Sequence, residues 1–138
     1  MTKREQILQA IATLLAAVPG TTGVYRSRED AMSREESPAI VVRPDGEQVS
    51  ENTNGYVDAR LTVLVEVYAR GTVPDQVADP IAEAAFAAMM DNPTLGALAI
   101  DVTEDGTDFD TEGADQDAGF TAMRFVVWHR RPRNRLAD

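Results

Sequence analysis

Residues 56–70, Tyr-Val-Asp-Ala-Arg-Leu-Thr-Val-Leu-Val-Glu-Val-Tyr-Ala-Arg, constrain the fold more than any other stretch. Val57, Ala59, Leu61, Val63, Val65, Val67 and Ala69 fall at alternate positions. A period-two pattern sustained this long predicts a strand in a sheet with one dry face. The other face carries Asp58, Arg60, Thr62, Glu66 and Arg70, which suit water or a polar partner. Gly71 breaks the strand, and Val73-Pro74-Asp75-Gln76 leads into an alanine-rich helix that closes around Asp91–Leu98. Strand, covering helix and short loop form an α+β scaffold rather than a catalytic signature.

The flanking segments extend this frame. Ile7, Ile11, Leu14 and Val18 repeat at helical spacing, with Leu8 and Leu15 widening the stripe, and predict a helix over 2–18. Thr2 and Glu5 match a capping box, and Lys3, Arg4, Glu5, Gln9 and Thr13 take the opposite side. Pro19-Gly20 supplies the stop. Short strands are expected at 23–28 and 38–43, separated by a charged loop without apolar pattern. Pro44-Asp45-Gly46 reads as a turn. Glu47–Asn54 reads as a hairpin arm or a loop that orders on assembly, with Asn54-Gly55 as a tight-turn signal. Pro80 interrupts the alanine-rich helix. Either the helix kinks there or it starts there with Asp79 as cap, and the second reading is preferred. Ile81, Ala84, Ala85, Ala88 and Met89 would face the sheet. A fourth strand is expected at 98–102, an acidic loop at 103–118, and a central last strand at 120–130 with both faces rather apolar. The order is α-β-β-β-α-β-β: a mixed or antiparallel sheet of about five strands with two helices on one face. Residues 1–130 make one domain, and 131–138 a basic, flexible tail.

Charge and residue types narrow the function. The net charge of −10 argues against stable nucleic-acid binding, while permitting a surface past which DNA slides. There is no cysteine, so disulfides, thiolate metal sites and cysteine nucleophiles are excluded. No apolar run approaches the roughly 20 residues of a membrane span, and no signal-peptide pattern is present. His129, the sole histidine, is expected at the surface or an interface, and Trp128 in core or interface packing. No nucleophile elbow and no glycine-rich phosphate loop appears.

Asp101, Thr103, Asp105, Gly106 and Glu112 fall at positions 1, 3, 5, 6 and 12 of a calcium loop of the EF-hand type. Asp108 occupies a place that normally takes an aliphatic residue, and the flanks read as strands where helices are needed. A solvated hairpin loop is the better reading. Asp101, Asp105 and Glu112 remain weak metal candidates, and a weak divalent-cation dependence of assembly follows from crowding acids at a seam. Arg130, Arg131, Arg133 and Arg135 form the basic cluster, suited to solvation or to an acidic subunit surface.

The order of these pieces resembles the lambda-type tail terminator family, the minor tail protein U group of long-tailed bacteriophages. The resemblance is carried by the N-terminal helix, Ser37-Pro38-Ala39-Ile40-Val41-Val42, Val67-Tyr68-Ala69-Arg70, Val73-Pro74-Asp75 and Met90-Asp91-Asn92-Pro93-Thr94-Leu95. Asp108-Phe109-Asp110, Asp117-Ala118-Gly119 and Arg124-Phe125-Val126-Val127-Trp128 continue it. It implies a structural subunit, not an enzyme, without cofactor, built into the virion tail in the bacterial host cytoplasm. It implies a homohexameric ring on the tail-tube end that stops polymerisation and offers a head-joining surface. Partners would be further copies, the tube protein and a head-completion or connector protein, with no membrane and no stable nucleic acid. Interface candidates are Glu47, Asn52 and Asn54 in the arm, Asp108 and Asp110 in the acidic segment, and Arg130 and Arg131 in the basic cluster. The alternatives are another head–tail connector or tail completion protein, or a small divalent-metal-binding enzyme domain.

Overall fold

The alternation of residues 56–70 is realised in full: β3, Tyr56–Arg70, buries Val57, Ala59, Leu61, Val63, Val65, Val67 and Ala69. The computed structural model describes residues 1–51, 53–112 and 115–137. Five strands form one mixed sheet in the order β1-β2-β3-β5-β4. They are β1 (Val24–Arg26), β2 (Ala39–Glu51), β3, β4 (Asp101–Glu112) and β5 (Asp115–Pro132). Only β1 and β2 run parallel; the other pairs are antiparallel. With helices α1 (Lys3–Leu15) and α2 (Pro74–Met90), the order is α-β-β-β-α-β-β, as expected.

Both helices pack on one face of the sheet. Ile7, Leu8, Ile11 and Leu15 of α1 join Ala78, Ile81, Ala85 and Met89 of α2 over Leu61, Val63, Val65, Val67 and Ala69 of β3 and Met123, Phe125 and Val127 of β5. Each large apolar side chain fully withdrawn from water contributes about 1.5–3 kcal/mol. Thr2 caps α1 by accepting the Glu5 amide at 3.1 Å. The box is only half closed, because the Glu5 carboxylate turns to Arg26, which donates to it at 2.8 and 3.1 Å. That guanidinium holds the Glu5 carboxyl below its usual range. The helix ends at Leu15 rather than Val18, and turns at Ala17 and Val18 carry the chain to Pro19. Lys3, expected in water, is 8% exposed, and its amide donates to the Leu136 carbonyl at 2.7 Å.

Pro80 does not start α2. The helix begins at Pro74 and runs through Pro80. Proline inside a helix costs about 3 kcal/mol through a lost backbone bond and a ring clash. Here the proline is on the exposed side, and burial of Ile81, Ala85 and Met89 just beyond it offsets that cost. Pro74 sits in the first turn, where its missing N–H has no helical partner to lose.

The largest departures lie at 44–51 and 103–118. Pro44-Asp45-Gly46 is no chain reversal; β2 continues through it to Glu51. The expected strand at 98–102 and the acidic loop after it are instead β4, twelve residues long, paired with a β5 that starts at Asp115. Both β2 and β4 absorb one extra residue. Three steps from Pro44 to Glu47 oppose two on β3, and three from Glu104 to Thr107 oppose two on β5. Glycine supplies the positive φ at each place, 107° at both Gly46 and Gly106. An inserted residue exchanges the two faces for everything beyond it.

Among the described residues, the second sheet face is covered only at one end. The segment 28–36, expected to be part of a charged loop without apolar pattern, includes a 3-10 turn at Arg34–Glu36 and buries Met32 against Ala39, Val41, Tyr68 and Ala118.

Candidate interaction surfaces

The exchange of faces builds the root of the arm. Before the bulge, Ile40 and Val42 of β2 face the helices; beyond it Glu47, opposite Leu61, does so. His129 of β5, opposite Ala59, shares that face. Glu47 therefore meets His129 Nε2 at 2.7 Å through one carboxylate oxygen and accepts from Arg4 of α1 at 2.9 Å through the other. His129 is 1% and the Glu47 side chain 9% exposed. The bulge carries Glu47 inward, and the β3–β5 register sets His129 beside it, buried rather than at the surface. The His129 Nδ1 has no hydrogen-bond partner among the described residues.

Past this root the arm is wetter, and its tip is tied to the C-terminal segment. Asn54 stands exposed at the turn with φ 67°, and Val49 and Tyr56 are exposed along the arm. Asn52 lies outside the described residues. Arg130 donates to Asp58 at 2.8 Å, and the Arg133 amide donates to the Gly55 carbonyl at 2.8 Å. Arg131 belongs to β5 and spends its guanidinium on the Pro132 and Arg135 carbonyls. The segment after 130 thus begins as strand and is held by backbone bonds to both the arm tip and α1.

At the opposite end, the bulge in β4 turns Phe109 toward α2 and Asp108 and Asp110 toward the open face, opposite Ala122 and Phe120. Phe109 is 70% exposed, and none of the described elements covers it. It lines an open groove of about 530 Å³ with Pro74, Gly119, Phe120 and Thr121. A second groove of about 340 Å³ runs on between α2 and β4, over Phe86 and Met123, beside Asp75, Asp79 and Glu83. Asp108 accepts from Arg124 at 2.6 Å, and the Asp110 side chain accepts the amide of Thr111 at 2.8 Å. β4 is an edge strand, with β5 as its one neighbour.

On the open face, Trp128 is half-buried. Its Nε1 donates to Thr103 Oγ1 at 3.3 Å, and the Arg60 guanidinium lies 5.3 Å from its ring centre. Arg43 joins Glu66 at 2.8 Å and Glu29 at 2.9 Å. Arg28 grips Glu36, whose carboxyl also accepts the Ser33 amide at 2.9 Å. Arg28 first, and that amide second, hold the Glu36 carboxyl at about 2.

The calcium-loop spacing does not become a loop. Asp101 and Glu112 lie at the two ends of β4, and Asp105 sits in the bulge between them. A strand rises about 3.3 Å per residue, so the two ends are roughly 35 Å apart. Among the described residues no three His, Asp, Glu or Cys side chains gather closely enough to hold a metal ion. Among them, too, no helix is long and apolar enough to cross a membrane.

Sequence reasoning missed Lys3, Met32, the Arg4–Glu47–His129 contact and the exposed Asp75, Asp79 and Glu83 on α2. The last three were legible at i, i+4 and i+8, given a helix that starts at Pro74.

The family model described as phage minor tail protein U matches residues 2–128. Among solved structures, a chain from the virion of a native gene transfer agent particle is similar in fold, with a TM-score of 0.56. That alignment covers 94% of this chain and 92% of the other at 15% identity. No curated protein matches.

Proposed function

The chain belongs to the phage minor tail protein U family, and on that footing we propose that it is the tail terminator of its particle. Several copies, six in the reading favoured here, form a ring on the end of the tail tube. The ring stops addition of tube subunits and leaves a second surface for the head-completion or connector protein. No bond-making chemistry enters this role. The observation that carries it is the family match across nearly the whole chain. The structure adds support of a physical kind: an edge strand and an open sheet face are left for neighbours, and the two ends of the sheet differ in chemistry. A ring subunit needs that difference, since its two axial faces meet different proteins. An acidic wall would let DNA pass without sticking. Divalent cations would ease assembly by screening acids crowded at a seam.

Tube subunits polymerised with and without the protein test this reading. Short tubes carrying a ring at one end in negative stain are the expected result. The same length distribution in both reactions overturns it.

A further inference from the structure

α2 carries three exposed acids, Asp75, Asp79 and Glu83, spaced four apart along one stripe, and no lysine, arginine or histidine. None of the three makes an ion pair among the described residues. Like charges at this spacing repel and destabilise a helix. The stripe borders the groove between α2 and β4, whose floor is Phe86 and Met123 and whose far wall is the exposed Phe109. An apolar floor with one acidic wall suits a short segment that is both basic and apolar.

The chain holds such a segment at its other end. Arg133 and Arg135 are exposed, and Leu136 beside them is 44% exposed. Among the described residues, the acid paired with Arg133 is Glu51, at 4.0 Å and itself well exposed. The segment is pre-set, because the Arg133 amide is bonded to Gly55 and the Leu136 carbonyl to Lys3. Pre-ordering lowers the entropy lost on docking. It also keeps the segment from its own groove: ten residues of extended chain separate Met123 from Arg133, roughly 33 Å.

We propose that the Arg133–Leu136 corner of one copy docks in the α2–β4 groove of the next. Leu136 meets Phe109 and Phe86, and the two guanidiniums face Asp79 and Glu83. A second copy is the occupant that charge complementarity selects, because this corner is the chain's basic cluster in a protein of net charge −10. Corner and groove are different patches, so the contact is heterologous and repeats from copy to copy until it closes. The proposal rests on the ring reading and names the seam within it.

Full-length protein is followed by sedimentation against concentration and salt. The variants are R133E/R135E, D79K/E83K and the two combined, with thermal melts to verify folding and D79N/E83Q in reserve if the lysine pair misfolds. Wild type should associate, and association should weaken as salt rises. Each reversal should weaken it roughly tenfold or more, and the combination should restore it. Association unchanged by either reversal, or not restored by the combination, overturns the seam and leaves the ring standing. Loss of binding to tube ends with self-association intact makes the tube protein the occupant and also overturns it. Wild type that never associates, even on tubes, sinks both readings.

Discussion

The two long hairpins use the same backbone device to opposite ends. Each takes in one extra residue at an Asp-Gly pair, Asp45-Gly46 in β2 and Asp105-Gly106 in β4, and each exchange of faces brings the odd-numbered residues beyond it to the helix side, with one decisive side chain among them. In the arm that side chain is Glu47, which finds Arg4 and His129 waiting. In the acidic hairpin it is Phe109, which finds open groove. The arm tip is also tied down by Arg130 and by the Arg133 amide. Of the acids described on β4, only Asp108 makes an ion pair among the described residues. The bulge alone does not decide whether a corner is closed. Closure depends on whether groups of opposite charge or matching polarity lie within reach in the same chain.

Breaking the closed corner should have the largest effect. Glu47→Ala leaves His129 buried with neither ring nitrogen paired among the described residues, and strips Arg4 of its partner. Leaving a buried polar group unsatisfied costs about 1–3 kcal/mol. The expected outcome is a lower melting temperature and faster amide exchange through residues 47–57, with Glu47→Gln intermediate. An arm that exchanges at the wild-type rate in Glu47→Ala would show that the pairing of strands alone holds it.

The same contrast explains what was legible beforehand. The one-sided burial of β3, the two-helix cover and the order of elements follow from periodicity, which local sequence records directly. The faces of β2 beyond Glu47 and of β4 beyond Thr107 do not, because a single inserted residue reverses them. Asp-Gly looks alike as a turn, a bulge or part of a calcium loop, and only the partner strand distinguishes these. His129 was misplaced for the same reason. Its partner is a glutamate brought inward by the bulge, which is held in turn by Arg4 of α1, more than a hundred residues away in sequence. Met32 carried no periodic signal, since the surface it covers comes from four separate segments. The α2 stripe was hidden by starting the helix at Pro80.

Neutralising one acid in each hairpin should give effects of opposite sign. Asp58→Asn weakens the pair with Arg130 and should destabilise by up to about 1 kcal/mol, as exposed pairs do. Glu104→Gln removes an exposed charge with no ion-pair partner among the described residues, on a strand crowded with acids. It should stabilise by a few tenths of a kcal/mol, on the order of one relieved like-charge contact. Chemical denaturation at low ionic strength checks both. The stabilising effect should fade as salt shortens the screening length to about 8 Å. A destabilised Glu104→Gln protein would mean that the acidic strand is balanced within the chain after all.

The segment 28–36 gives the smallest and most local test, because it is a closed corner set on the open face. Its lock is Arg28 with the Ser33 amide on Glu36, whose carboxyl is held at about 2 against an ordinary 4.5. A carboxyl whose value is lowered by folding stabilises the native state fully above its unfolded value. That contribution drains away as pH falls from 4.5 toward 2. Met32 should then lift from Tyr68 and Ala118, while the helix-covered core stays folded. The near-ultraviolet signal of Tyr25 and Tyr68 and amide exchange at 28–37 should change in that window in the wild type. Both should stay flat in Glu36→Gln, which has no charge to lose. Glu5, held down by Arg26, titrates in the same direction but clamps α1 to β1, so its protonation should leave the exchange of residues 28–37 alone. An acid transition of equal size in Glu36→Gln would place the lock elsewhere.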